Sequence, residues 1–118
     1  MNRTLPLLGA IAGAFILLAA CGGDDADRRV IQIVQGDELC TPESIDLAPG
    51  EKVKFEVKNE GSKDKEVEGI EGTKLEEILV PSGKTRTLNY TAPNETGTAK
   101  VKCYVPGGSN NIITLNIE

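Results

Sequence analysis

The chain has 118 residues, with 13 Lys and Arg against 18 Asp and Glu, a formal charge of −5, and neither His nor Trp. An acidic surface without basic clusters argues against nucleic-acid binding and against adhesion to anionic lipid headgroups. The absence of His removes every Ser/His/Asp or Cys/His nucleophilic arrangement, so the chain is not expected to be an enzyme.

The first twenty residues read as an export signal. Arg3 supplies a positive start, and Leu5 to Ala20 is an almost unbroken apolar run. That run is shorter than the roughly 20 apolar residues a membrane span needs, and it fits a signal-peptide core. It ends in Leu18-Ala19-Ala20-Cys21, which resembles the lipobox of bacterial lipoproteins. The resemblance implies that the Cys21 thiol is acylated and the chain cut before it. An ordinary secretory signal needs no cysteine at that point. Two or three lipid chains, at about 0.8 kcal/mol per buried methylene, anchor a protein stably. The expected division is a signal over 1–20, a flexible tether with lipidated Cys21 over 21–29, and one domain over 30–118. Cleavage leaves 98 residues carrying 12 basic and 18 acidic side chains, enough for one modest core.

Residues 22–29 (GGDDADRR) are polar and without periodicity. From Val30 the pattern alternates with period two between turn signals. VIQIV (30–34) predicts a first strand, and 36–44 a loop containing Cys40 and Pro42. Ile45 and Leu47 predict a short strand, and Pro49-Gly50 a turn. KVKFEVK (52–58) places Val53, Phe55 and Val57 on one face and charges on the other. After a polar loop over 59–65, residues 66–70 read as strand, and 74–80 (KLEEILV) as either strand or one helical turn. Pro81-Ser82-Gly83 is a turn. Strands over 84–90 and 98–105 follow, the latter placing Ala99, Val101, Cys103 and Val105 on one face. Ile113, Leu115 and Ile117 face the core from a last strand. Seven or eight short strands with turns between them predict an all-β protein, an antiparallel Greek-key β-sandwich.

With Cys21 assigned to lipid, Cys40 and Cys103 remain as a pair in a compartment where disulfides persist. The order of elements resembles cupredoxin-like domains: a turn at Pro49-Gly50, the Val53-Phe55-Val57 strand ending at Asn59, the Pro81-Ser82-Gly83 turn, and a Gly97-Thr98-Ala99 strand ending in Cys103. The resemblance spans about residues 30–118. It implies the fold and a metal role, but not blue copper. A type 1 site needs two imidazoles and a thiolate, usually with a distant thioether. Here Met1 is the lone Met, and Pro106 stands where a ligand His commonly follows the Cys.

A narrower likeness is to the cupredoxin-like domain of EfeO-type iron-uptake proteins, also found alone in small exported proteins. That branch carries a cysteine after its first strand, another before its last, and an acidic E-x-E pair. Cys40, Cys103, Glu66 and Glu68 fall at those places, and Glu76 or Glu77 matches a further acidic position. The resemblance therefore implies a copper or iron ion held by thiolates and carboxylates. Glu66 and Glu68, two apart, share one face of a strand.

Two outcomes stay open for the cysteines. A disulfide would close about 64 residues and stabilise by roughly 4 kcal/mol. A metal site would use two thiolates with one or two carboxylates; soft thiolates favour Cu(I), and carboxylates suit iron. The expected protein is a monomer on the periplasmic side or cell surface, held to a bacterial membrane through its lipid. It either binds or hands over copper or iron to a metal-uptake component, or is a disulfide-stapled module that binds an envelope protein.

Overall fold

The computed structural model describes residues 27–118, and its longer strands β4, β8 and β9 follow the period-two pattern. The signal segment, Cys21 and most of the tether lie outside the described residues. Nine strands form: β1 Arg29–Gln35, β2 Cys40–Thr41, β3 Ser44–Leu47, β4 Lys52–Asn59, β5 Lys65–Ile70, β6 Ile78–Val80, β7 Thr85–Thr91, β8 Gly97–Tyr104 and β9 Asn110–Ile117. They make two sheets, a four-stranded one ordered β2-β1-β4-β7 and a five-stranded one ordered β3-β9-β8-β5-β6.

The inward residues of the two sheets form one core. Val53, Phe55 and Val57 of β4 are fully buried, as are Val101 of β8 and Ile113 and Leu115 of β9. Phe55 stacks on Tyr90 across the β4–β7 pair, with ring centroids 5.7 Å apart. Val105, expected on the same face as Val101, falls just past the end of β8 and is half-buried.

Two features depart from the sequence reading. The sheets are mixed, not antiparallel throughout. β1 runs parallel to β4, with Arg29 opposite Val53 and Gln35 opposite Asn59. β3 runs parallel to β9, with Ser44 opposite Thr114. The reason lies in the connections: after β1 the chain crosses to the other sheet as β3 and returns as β4, so its direction reverses twice. Alternation of side chains reports which face is buried and is silent on strand direction. The segment 36–44, expected as loop, also holds the two-residue β2, which pairs Cys40 with Gln35 and Thr41 with Val34.

The folded unit begins before Val30. Arg29 is in β1 and its Nε bonds Glu51 Oε2 at 2.9 Å, while Arg28 Nη1 donates to the carbonyls of Val53 (3.2 Å) and Tyr90 (3.1 Å). The last residues of the segment read as tether thus belong to the sandwich.

Candidate functional site, a buried thiol pair at one end of the sandwich

Four strand ends meet at one end of the molecule. β1 finishes there with Gln35, β2 starts with Cys40, β5 starts with Lys65, and β8 brings Cys103 opposite Val67 of β5 and Asn111 of β9. Cys40 is 4% exposed and Cys103 1%. Both are thiols in this structure, close enough that each shifts the ionisation of the other. The structure therefore brings together the two cysteines that the sequence paired.

The pair is electrically asymmetric. Cys40 is held below the ordinary thiol value, first because the Cys103 thiol donates to its sulfur, and also through the charge of Lys65 and the Gln35 amide. Cys103 is pushed far above it by its bond to Cys40, by burial, and by the charge that Cys40 takes on. One proton leaves readily and the second resists, as expected of two acids sharing one buried space.

Two polar side chains share this end. Lys65 is only 3% exposed, an uncommon situation for a lysine. Its charge acts on both sulfurs and on Asp37. Gln35 is completely buried, and neither its Oε1 nor its Nε2 has a hydrogen-bond partner of full geometry. Its amide lies close enough to the sulfurs to favour charge on either one. A buried amide without partners is a standing cost of about 1–3 kcal/mol.

Around this cluster the loops are cross-tied. Asp37 Oδ1 accepts from Ser62 N at 2.7 Å and Ser62 Oγ at 3.0 Å, which holds the Asp37 carboxyl below the ordinary range. Asn111 Nδ2 donates to the Glu38 carbonyl at 2.8 Å. Fully buried Asn59 ends β4 by donating to the carbonyls of Lys63 (2.7 Å) and Val80 (2.9 Å) and accepting from Gly61 N (2.9 Å). Gly61 has no room for a side chain, since a Cβ would lie 2.9 Å from Asp37 Oδ1. A surface cleft of about 310 Å³ lies beside the cluster, with Lys65, Asp37 and Ser109 among its walls.

The predicted acidic ligands are elsewhere. Glu66 and Glu68 do share a face of β5, but it is the outer one, because Lys65 and Val67 take the inner face. Glu68 pairs with Lys102 at 3.7 Å, and Glu66 bonds the Tyr104 hydroxyl. Tyr104 also donates to Glu77 Oε2 at 2.7 Å, and its phenol is pushed well above the ordinary value by these carboxylates. Glu76 is exposed in the β5–β6 loop. Among the described residues, no three His, Cys, Asp or Glu side chains converge on one point. The carboxylates and the thiols are on opposite sides of the sheet.

Sequence reasoning missed Lys65 and Gln35. Both were within reach of the same alternation, since Gln35 continues the Ile31-Ile33 face and Lys65 precedes Val67 by two.

A profile of the cupredoxin-like domain matches residues 9–107. The chain belongs to the cupredoxin-like domain family. Solved structures share the fold at low identity. Auracyanin A, a "blue" copper protein from Chloroflexus aurantiacus, aligns with a TM-score of 0.62 and 18% identity, covering 75% of this chain and 98% of that one. Sodium-dithionite-reduced auracyanin from Roseiflexus castenholzii gives 0.60 and 15%, covering 75% and 96%. A purple cupredoxin from Nitrosopumilus maritimus gives 0.52 and 15%, covering 74% and 98%. No curated protein matches the sequence. This cupredoxin-like domain has no imidazole to offer, so the residues present do not fit a type 1 copper ion. Two thiols without a third convergent donor do fit an ion satisfied by two soft ligands. Among the described residues no helix is long and apolar enough to cross a membrane.

Proposed function

We propose that this cupredoxin-like domain is a non-enzymatic, extracytoplasmic module, lipid-anchored through Cys21, that binds Cu(I) between Cys40 and Cys103. The observation that carries the reading is the pairing of two buried thiols that, among the described residues, belong to no larger cluster of His, Cys, Asp and Glu. Cu(I) is the metal that soft thiolates select, whereas iron needs the hard oxygen donors that here face outward. Cys40 and Cys103 would hold the ion, and the Gln35 amide and the Lys65 charge favour the thiolate form. What the ion supplies there is a cargo for transfer, since no pair of imidazoles is present to support blue-copper electron transfer. The receiver is an envelope protein or metal-uptake component. The placement of both cysteines supports the likeness to the EfeO-type branch, and the outward glutamates weaken it as a guide to the metal.

The same contact favours a second reading, a cystine staple. Two thiols would lose two protons and two electrons to a partner disulfide, which is itself reduced to two thiols.

The test uses the full chain with Cys21→Ser, which leaves two thiols. Under a phosphine reductant it should show two reactive sulfurs on denaturation and take up one Cu(I) against bicinchoninate. After oxidation it should take up none. Failure of the reduced protein to compete for Cu(I) leaves the staple standing. Fractionation of cells expressing the unmodified chain should find it in membranes, and Cys21→Ser should release it.

A further inference from the structure

Gln35 is the last residue of β1 and carries the inward face of Ile31 and Ile33 into the thiol end. It is completely buried, and neither polar atom of its amide has a hydrogen-bond partner. The groups around it are already committed. Its own carbonyl accepts from Glu60 N at 2.8 Å. Asn59, beside it in the parallel β1–β4 register, spends its Nδ2 protons on the carbonyls of Lys63 and Val80.

On its other side stands Cys40. Gly36 N donates to the Leu39 carbonyl at 2.8 Å and closes the turn, and the next pair along the ladder is Gln35 with Cys40. The pair that follows a hydrogen-bonded one in an antiparallel ladder is the kind whose side chains lie closest. Both of these side chains are buried, so they share the inner face. The strand of Cys103 is tied to the same turn, because Asn111 lies opposite Cys103 and donates to the Glu38 carbonyl at 2.8 Å. Strand register alone therefore sets the Gln35 amide against Cys40. In agreement with that placement, the amide favours charge on either sulfur.

A thiol sulfur is a weak acceptor, whereas a thiolate is a charged and strong one. In the empty reduced domain Gln35 Nε2 faces neutral sulfur and stays without a partner. When an ion binds, the thiol protons leave to solvent and the adjacent sulfur becomes an acceptor. The cost of the orphaned N–H thus falls on the empty state and is relieved in the loaded one. Oε1 lacks a partner in both states and does not enter the difference. An apolar side chain would suit the empty core better, as Ile31 and Ile33 do on the same face.

We infer that Gln35 is the positioning residue of the thiol site, a buried N–H donor left unpartnered in the empty domain and satisfied by the Cys40 thiolate once an ion is bound. This rests on the proposed binding of Cu(I) by Cys40 and Cys103. It adds that the empty domain gives up stability at Gln35 in exchange for affinity. Gln35 touches no ion in this account; it acts through Cys40.

The experiment uses the reduced full chain with Cys21→Ser, alone and with Gln35→Leu added, and circular dichroism confirms that the variant is folded. Gln35→Leu should lower Cu(I) affinity against bicinchoninate about tenfold, as loss of a hydrogen bond to a ligating atom does. In the metal-free state the same change should raise the urea midpoint by about 0.5 M. Opposite signs in the two measurements are what a merely structural residue would not give. A third reading needs no variant: in the 15N-labelled parent, one Gln35 Nε2 proton should move downfield on loading with Ag(I), a redox-inert stand-in. Unchanged Cu(I) affinity, a lowered metal-free midpoint (an amide already satisfied by water in the empty domain) or an unmoved Nε2 proton overturns the inference and leaves Cu(I) binding standing. Absence of Cu(I) and Ag(I) binding in the parent overturns the proposed function and this inference with it.

Discussion

The two faces of β5 present the same short sequence to two different environments. Lys65 and Val67 enter the sandwich, where Lys65 joins a buried pair of thiols and an unpartnered amide. Glu66 and Glu68 turn outward to Tyr104, Lys102 and Glu77, within reach of water. The outer cluster has more charges and more hydrogen bonds, yet each is weak because solvent competes for every partner. The inner cluster has few polar groups, and each is consequential because nothing else can satisfy it.

The sharpest way to break this comparison is at the sulfurs. Cys103→Ser in the reduced full chain should lower Cu(I) affinity by at least about 100-fold, since a hydroxyl is a poor ligand for a soft ion. Competition against bicinchoninate measures it. A loss under threefold would mean that the enclosed pair is not where the ion sits.

Next in size is the framework that holds the inner end in place. Asn59 satisfies two carbonyls and one N–H with a single buried amide. Asn59→Ala leaves those groups without partners and should cost roughly 2–4 kcal/mol in urea unfolding. Its effect should fall on stability first and on metal affinity only through loosening of the 59–65 loop.

The contrast between the faces also explains what could be read in advance. Alternation found β4, β8 and β9 and their buried residues, because Val53-Phe55-Val57, Ala99-Val101-Cys103 and Ile113-Leu115-Ile117 each bury one face completely. The cysteine count, with Cys21 assigned to lipid, brings Cys40 and Cys103 into view as a pair. Alternation did not reveal that β1–β4 and β3–β9 run parallel, since strand direction depends on how the chain crosses between sheets. The glutamates were drawn toward the cysteines by residue type and family likeness, although Val67 between them already fixed their face as the outer one. Lys65 and Gln35 do not stand out in the sequence, because polar residues at strand ends are ordinarily solvated.

The smallest expected effects belong to the outer face, and they complete the comparison. Glu66→Gln and Glu68→Gln should leave Cu(I) affinity within about twofold, because neither carboxylate reaches the thiols. A tenfold loss in either would return the acidic pair to the site. Glu77 gives the outer cluster its pH signature. Its carboxyl lies below the ordinary Glu value of 4.5, chiefly because Tyr104 donates to it and then through Glu68. A depressed carboxyl stabilises the fold above that value, and the contribution fades as pH falls through it and below. Glu77→Gln should therefore lower the urea midpoint slightly at pH 7, with a deficit that shrinks as pH falls from 4.5 toward 3. An equal deficit at both pH values would show that Glu77 acts by packing, and that the outer face is less solvent-governed than its hydrogen bonds imply.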